Sequence, residues 1–290
     1  MNDPIFTGTC TAMVTPFRQD TVNYAMLEQL IHRQIDAGIR AIVICGTTGE
    51  SPVLSDCERI KMFEKAKQYA GDHCKIIAGT GSNATDHAIA LSQAAEAAGA
   101  DALLVVSPYY NKATADGLVM HYTAIANSVT LPVILYNVPS RTGVDIPVDV
   151  YHKLSLIPNV SGVKEASADI MKIIKTKQVC PDDFYIWCGN DDRIVPVMSM
   201  GCVGVISVLS NVAPEKTKAL TDAALAGDFT TASRIQLEML PLIELLFSEV
   251  NPIPVKAAMR EIGYDCGECR LPLTPLSERN RVKLKKMLSH

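Results

Sequence analysis

The sequence predicts an α/β fold: a (β/α)8 TIM barrel with a C-terminal all-helical domain. Three observations carry this expectation. Eight short apolar runs alternate with helical or helix-length segments, which is the cadence of a closed β/α ring. Each run is continuously apolar rather than alternating, as parallel strands covered on both faces must be. After the eighth run only helical periodicity remains, and the 290-residue length suits a barrel with an appendage.

The first strand is Gly8-Thr9-Cys10-Thr11-Ala12-Met13-Val14, ended by Thr15-Pro16. Leu27, Leu30, Ile31 and Ile35 fall at helical spacing over 24–37, and Gly38 closes that helix. The second strand covers 40–45 and runs into Gly46-Thr47-Thr48-Gly49-Glu50-Ser51. Helices are expected at 55–70, 84–98 and 115–128, with strands at 75–79, 102–107 and 131–136 between and after them. The sixth strand is Val160-Ser161-Gly162-Val163-Lys164, the seventh spans 184–188 and the eighth 204–208. Helices over 214–226, 229–247, 254–262 and 277–288 follow; one completes the barrel and the others form the appendage. The expected division is a barrel of residues 1–227 and a helical domain of residues 228–290, parted near Gly227-Asp228.

Composition excludes several classes. A formal charge of -4, with no basic cluster outside the solvated face of the last helix, argues against a nucleic-acid surface. No apolar run is long enough to span a bilayer, and Met1-Asn2-Asp3-Pro4 lacks the basic and apolar regions of a leader. Nine cysteines, several inside apolar strands (Cys45, Cys188, Cys202), fit buried free thiols in a reducing cytoplasm. Cys266-Gly267-Glu268-Cys269 has the spacing of a zinc half-site, but no second pair completes it. Gly79-Thr80-Gly81-Ser82-Asn83 lacks the third glycine of a dinucleotide loop. The histidines (His32, His73, His87, His121, His152, His290) fall mostly in helical segments rather than at strand ends, so neither a metal nor another cofactor is expected.

Barrel chemistry sits where strands end. The second strand delivers Thr47 and Thr48 in a glycine-flanked turn, whose hydroxyls and amides suit a carboxylate. The fourth delivers Tyr109-Tyr110-Asn111, the fifth Tyr136-Asn137-Val138-Pro139-Ser140-Arg141-Thr142-Gly143, and the seventh Gly189-Asn190-Asp191-Asp192. The sixth ends in Lys164. A lysine at the rim of an apolar interior loses hydration, which favours the neutral amine, a nucleophile for carbonyls. Alone, such a lysine more often snorkels to solvent. Its place beside two threonines, two tyrosines and an arginine points to a keto acid, captured as a Schiff base with tyrosines moving protons.

Three motifs in order, Gly46-Thr47-Thr48-Gly49-Glu50, the strand-five run through Gly143, and Val163-Lys164-Glu165-Ala166-Ser167, resemble the dihydrodipicolinate synthase family of pyruvate-dependent class I aldolases. The likeness extends over essentially the whole chain. It implies a homotetramer built from two tight dimers that joins pyruvate to L-aspartate 4-semialdehyde in lysine and diaminopimelate biosynthesis. By motif position, Lys164 would form the imine, and Tyr136, Thr47 and Tyr110 the proton relay, with Tyr110 reaching in from a neighbouring subunit. Thr48 would hold the pyruvate carboxylate, Arg141 the carboxylate of the semialdehyde, and Gly189 and Ile206 would line the pocket. N-acetylneuraminate lyase and the keto-deoxy-sugar-acid aldolases share the fold and the lysine, but their second strand more often ends Gly-Ser-Thr-Gly-Glu and they commonly lack the arginine. A barrel that binds keto acids without catalysis is the alternative from another class.

The resemblance also implies an effector site for lysine, where Ser51, Asn83 and Tyr109 match. Arg59 and His87 stand where inhibited members often carry a histidine and a glutamate. Loss of the acid removes an ammonium partner and the arginine repels one, so weak or absent feedback by lysine is expected.

Overall fold

The computed structural model describes residues 3–167 and 169–289, so Met1, Asn2, Ala168 and His290 lie outside the described residues. Eight parallel strands close into a barrel. They are β1 (Gly8–Ala12), β2 (Ala41–Ile44), β3 (Lys75–Gly79), β4 (Ala102–Val106), β5 (Val133–Asn137), β6 (Val160–Glu165), β7 (Tyr185–Cys188) and β8 (Gly204–Ser207). Helices α1 (Tyr24–Asp36), α2 (Asp56–Ala70), α3 (Thr85–Ala97), α4 (Ala115–Asn127), α5 (Val148–Ser155), α6 (Ile170–Val179), α7 (Ile194–Met198) and α8 (Pro214–Leu225) follow the strands in turn. The helix over 214–225 is therefore the one that completes the ring. Helices α9 (Phe229–Leu246), α10 (Ile253–Glu261) and α11 (Glu278–Leu288) form the C-terminal region.

Closure depends on β1 pairing with both β2 and β8, the last through Gly8 opposite Gly204. A Cβ on Gly204 would lie 2.1 Å from the carbonyl oxygen of Gly8, so only glycine lets the first and last strands meet. Inside the ring, Cys10, Val43, Ile77, Leu104, Ile134, Trp187 and Ile206 fill the interior. Trp187 stacks on Phe6, with ring centroids 5.2 Å apart, and its indole N–H donates to the Phe6 carbonyl at 3.2 Å. That plug seals the end of the barrel opposite the strand C-termini. A larger apolar layer lies between strands and helices.

Helix starts follow local chemistry. Ser55 and Glu58 form a reciprocal capping box on α2, and Asn23, Thr114, Asp169 and Asp228 each accept a backbone N–H at the starts of α1, α4, α6 and α9. The structure adds a two-stranded ribbon (Phe17–Arg18 with Thr21–Val22), whose strands are too short for period-two patterning to mark them in the sequence. Pro139–Thr142 form one helical turn with proline at its start and Gly143 in the left-handed region after it.

The C-terminal helices are tied to the loop after β2. Lys256 and Glu50 form an ion pair at 2.8 Å with both side chains almost wholly buried, and the Arg270 backbone N–H donates to the other Glu50 oxygen at 2.9 Å. The Arg270 guanidinium reaches Glu58 at 2.6 Å. This hydrogen bond is the main reason the Glu58 carboxyl is held down to about 2, partly opposed by burial.

Two outcomes follow. Glu50→Gln strands the buried ammonium of Lys256 and is expected to cost about 3–5 kcal/mol in denaturant unfolding. The depressed Glu58 carboxyl contributes stability that is present above its unfolded value of 4.5 and lost as pH falls through about 2. An NMR titration should therefore find its midpoint near 2 in the native chain and well above that in Arg270→Met.

Candidate active site

The ring brings its strand ends together around one cavity of about 360 Å³. Lys164 occupies the next-to-last position of β6, in register with Tyr136 on β5 and Trp187 on β7. Its side chain is 6% exposed, its Nζ lies 4.4 Å from the centroid of the Tyr136 ring, and none of the ion pairs among the described residues includes it. A buried amine against an aromatic face, with no carboxylate paired to it, is open to an incoming carbonyl. Thr47, Thr48, Tyr136, Arg141 and Gly189 share the cavity wall with it.

Local backbone devices set these groups. Gly162 has φ +151, and a Cβ there would sit 1.9 Å from the Tyr185 carbonyl oxygen, so the lysine strand packs closely on β7 only with glycine at that position. The threonine turn is bounded by two non-glycine residues in the left-handed region, Cys45 and Glu50, each with φ 56. Strain of this kind persists where the surroundings over-determine it, here through the buried Glu50–Lys256 pair. Thr48 is held by Asn251, whose Nδ2 donates to its Oγ1 at 3.0 Å. Ile243, Glu244, Phe247 and Asn251 bring the C-terminal region to the same cavity.

Beside Lys164 runs a buried polar network. Glu165 accepts from Asn137 Nδ2 at 2.9 Å, from the Ser167 backbone at 2.8 Å and from the Tyr151 hydroxyl at 2.7 Å. Asn137 also donates to Asp145 at 2.8 Å and accepts from the Ile146 backbone at 3.0 Å, while Lys172 pairs with Asp145. The network joins the end of the lysine strand to both ends of the segment that carries Arg141. Burial, with the Glu165 charge adding to it, pushes the Tyr151 hydroxyl far above its usual range; it stays protonated and donates.

Not every predicted residue lies on this cavity. Tyr110 is 86% exposed with φ 72 and is not among the residues that line it. Ile206 is buried in the inner barrel layer, and Val208 forms the wall instead. Ser51, Arg59 and Tyr109 line a second cavity, of about 250 Å³, whose wall includes Thr47 and Arg141. Asn83 donates to the Tyr109 carbonyl at 3.4 Å, and His87 bonds Asp56 at 3.0 Å and Ser82 at 3.1 Å; neither lines that cavity. Sequence reasoning missed Asn251 and the role of Asp191. Asp191 is buried on the main cavity and accepts the backbone N–H groups of Val208 and Leu209, each at 2.9 Å. Burial raises its carboxyl despite these bonds and one from Ser207. Only its glycine-flanked position at a strand end could have marked it. The described residues hold no cluster of three or more metal-ligating side chains. Burial pushes the Cys188, Cys266 and Cys269 thiols up to about 12, so none is a thiolate near neutral pH.

A sequence profile described as the dihydrodipicolinate synthetase family matches residues 5–290. The chain belongs to the dihydrodipicolinate synthetase family. A 4-hydroxy-tetrahydrodipicolinate synthase from Thermoanaerobacter sp. (strain X514) is 46% identical over 287 residues, 99% of this chain and 97% of that protein. The dihydrodipicolinate synthase of Aquifex aeolicus superposes with a TM-score of 0.97 at 44% identity, covering 98% of this chain and 97% of that one. A chloride-inhibited dihydrodipicolinate synthase from Acinetobacter baumannii, solved with pyruvate, gives 0.95 at 41% identity with 98% of each chain covered. The helical tail lies inside this match.

Tyr151→Phe removes a donor from the buried Glu165 carboxylate and is expected to destabilise the fold by about 1–3 kcal/mol. Urea unfolding followed by circular dichroism measures it; an unchanged midpoint would mean that the network does not hold the lysine strand.

Proposed function

We propose that this chain condenses pyruvate with L-aspartate 4-semialdehyde to 4-hydroxy-tetrahydrodipicolinate, through a Schiff base on Lys164, within lysine and diaminopimelate biosynthesis. The observation that carries the reading is the buried amine of Lys164, held in no ion pair, on a cavity that also presents two threonines, a tyrosine and an arginine. Membership of the family supports the reaction, and the pyruvate-bound relative supports the first substrate.

Lys164 Nζ attacks the pyruvate carbonyl carbon, forming a C–N bond, and the carbonyl oxygen leaves as water once it has been protonated. The imine then loses a methyl proton to give an enamine. The enamine carbon forms the new C–C bond with the aldehyde carbon of the semialdehyde, whose oxygen takes up a proton. Attack of the semialdehyde's amine on the imine carbon closes the ring and frees Lys164. Thr48 and the turn amides hold the pyruvate carboxylate, with Asn251 fixing the Thr48 hydroxyl. Tyr136 and Thr47 carry the protons. Arg141 offers a planar fork to the carboxylate of the semialdehyde, a geometry no lysine reproduces. Each step is carried by an amine, a hydroxyl or a guanidinium, and the scheme calls for no cofactor.

Tyr110 completes the relay in a neighbouring subunit. Its exposure and left-handed backbone support this, because an exposed tyrosine held in a costly conformation and absent from its own cavity's wall suits a partner's site. A homotetramer made of two such dimers, working in the cytoplasm, fits the reading; no helix among the described residues is long and apolar enough to cross a membrane. On this reading the barrel runs to residue 227 and the C-terminal unit from residue 228; the start of α9 at the Asp228 cap supports that division. A sibling lyase for sugar acids is disfavoured by Thr47 and Arg141, which such enzymes commonly replace or lack.

Borohydride with pyruvate should leave one adduct, mapped by mass spectrometry to the peptide that holds Lys164; an adduct elsewhere, or none, would sink the proposal. Arg141→Ala should raise KM for the semialdehyde about 10- to 100-fold and leave pyruvate trapping nearly intact. Equal losses for both substrates would assign Arg141 a structural task. Feedback by lysine should be weak or absent, and inhibition at sub-millimolar lysine would contradict that expectation.

A further inference from the structure

Three acids border the cavity of Lys164, and two of them are engaged within the chain. Asp191 accepts the backbone N–H groups of Val208 and Leu209, and Asp192 lies 3.6 Å from the Arg193 guanidinium. Glu244 differs from both. It is exposed on α9, and among the described residues its carboxylate takes part in no hydrogen bond and no ion pair. Lys283 and Lys286 share a neighbouring groove with it, and neither pairs with it. The cations of the cavity wall, Lys164 on β6 and Arg141 on the turn after β5, are likewise in no ion pair. The wall thus presents an unpaired carboxylate and an unpaired guanidinium from different parts of the chain. Such a pair complements a ligand that carries both an ammonium and a carboxylate, and charge-assisted hydrogen bonds are the strong ones.

We infer that Glu244 is a specificity residue for the second substrate, its carboxylate receiving the ammonium of the amino aldehyde; this rests on the function proposed above. Pyruvate has no cationic group and makes no use of Glu244. The semialdehyde meets the protein at three points: its aldehyde at the enamine on Lys164, its own carboxylate at Arg141 and its ammonium at Glu244. Three of the four substituents on its α-carbon are then fixed, and the mirror-image molecule satisfies only two of them at once. Selection of the L-enantiomer is therefore a difference in affinity that Glu244 supplies from the C-terminal region. Because this carboxylate is exposed, its attraction for the ammonium is screened by salt.

The test is steady-state kinetics of the full-length protein with each enantiomer of aspartate 4-semialdehyde, and inhibition by 4-oxobutanoate, which keeps the aldehyde and the carboxylate but lacks the amine. Glu244→Gln should raise KM for the L-enantiomer about three- to tenfold and lower the L-over-D ratio of kcat/KM by a similar factor. The inhibition constant of 4-oxobutanoate should stay within about twofold of the native value, and trapping of pyruvate should be unaltered. Glu244→Asp should recover part of the preference, since it keeps the charge on a shorter arm. Rising ionic strength should narrow the preference in the native chain and leave it flat in Glu244→Gln. An L-over-D ratio unchanged in Glu244→Gln would overturn the inference. A parallel loss of affinity for the L-enantiomer and for 4-oxobutanoate would also overturn it, because a side chain that merely shapes the mouth of the cavity affects both. Turnover of the semialdehyde with no part for Glu244 overturns the inference alone, whereas a native chain that turns over no aspartate semialdehyde overturns the proposed function and the inference with it.

Discussion

Closure of the ring is the constraint on which everything else in this protein depends. The first strand must find the last across nearly two hundred residues, and it does so where Gly8 and Gly204 allow the backbones to touch. Once the ring is shut, every strand is paired on both sides and buried on both faces, and its polar backbone is satisfied without water. The strand ends then have a single place to gather. Lysine, tyrosine and threonine side chains that lie far apart along the chain share one cavity because the ring leaves them no other rim.

The C-terminal helices are part of the site rather than a cover for it. Asn251 fixes the hydroxyl of Thr48, and Ile243, Glu244 and Phe247 close the cavity on that side. The buried Glu50–Lys256 pair clamps the same threonine turn from behind, at a point where two non-glycine residues hold left-handed backbone. Charge burial and local strain are thus concentrated at the threonine turn. On the other side of the cavity, the Asn137–Glu165–Tyr151 network locks the lysine strand to the arginine segment. The amine of Lys164 lies between these two hydrogen-bonded walls.

The two arginines differ in setting. Arg141 lies on an exposed helical turn and lines both cavities. Arg59 is buried on α2, where its Nη2 donates to the Gly79 carbonyl, and of the two cavities it lines only the second.

Much was legible in the chain itself. Eight continuous apolar runs imply buried parallel strands because no other arrangement hides that many uninterrupted apolar residues at such spacing, and the helices between them follow from 3.6-residue periodicity and capping residues. Lys164, Thr47, Thr48, Tyr136 and Arg141 could be named because they stand where those runs end. The fold alone decided what depends on contacts distant in sequence: that Asn251 and Asp191 face the cavity, that Ile206 falls one layer too deep to do so, that Tyr110 turns outward, and that Arg59 is buried without an acid. A sequence states which residues end a strand; only the packed ring determines which of them share a space and which charges are left without a partner in it.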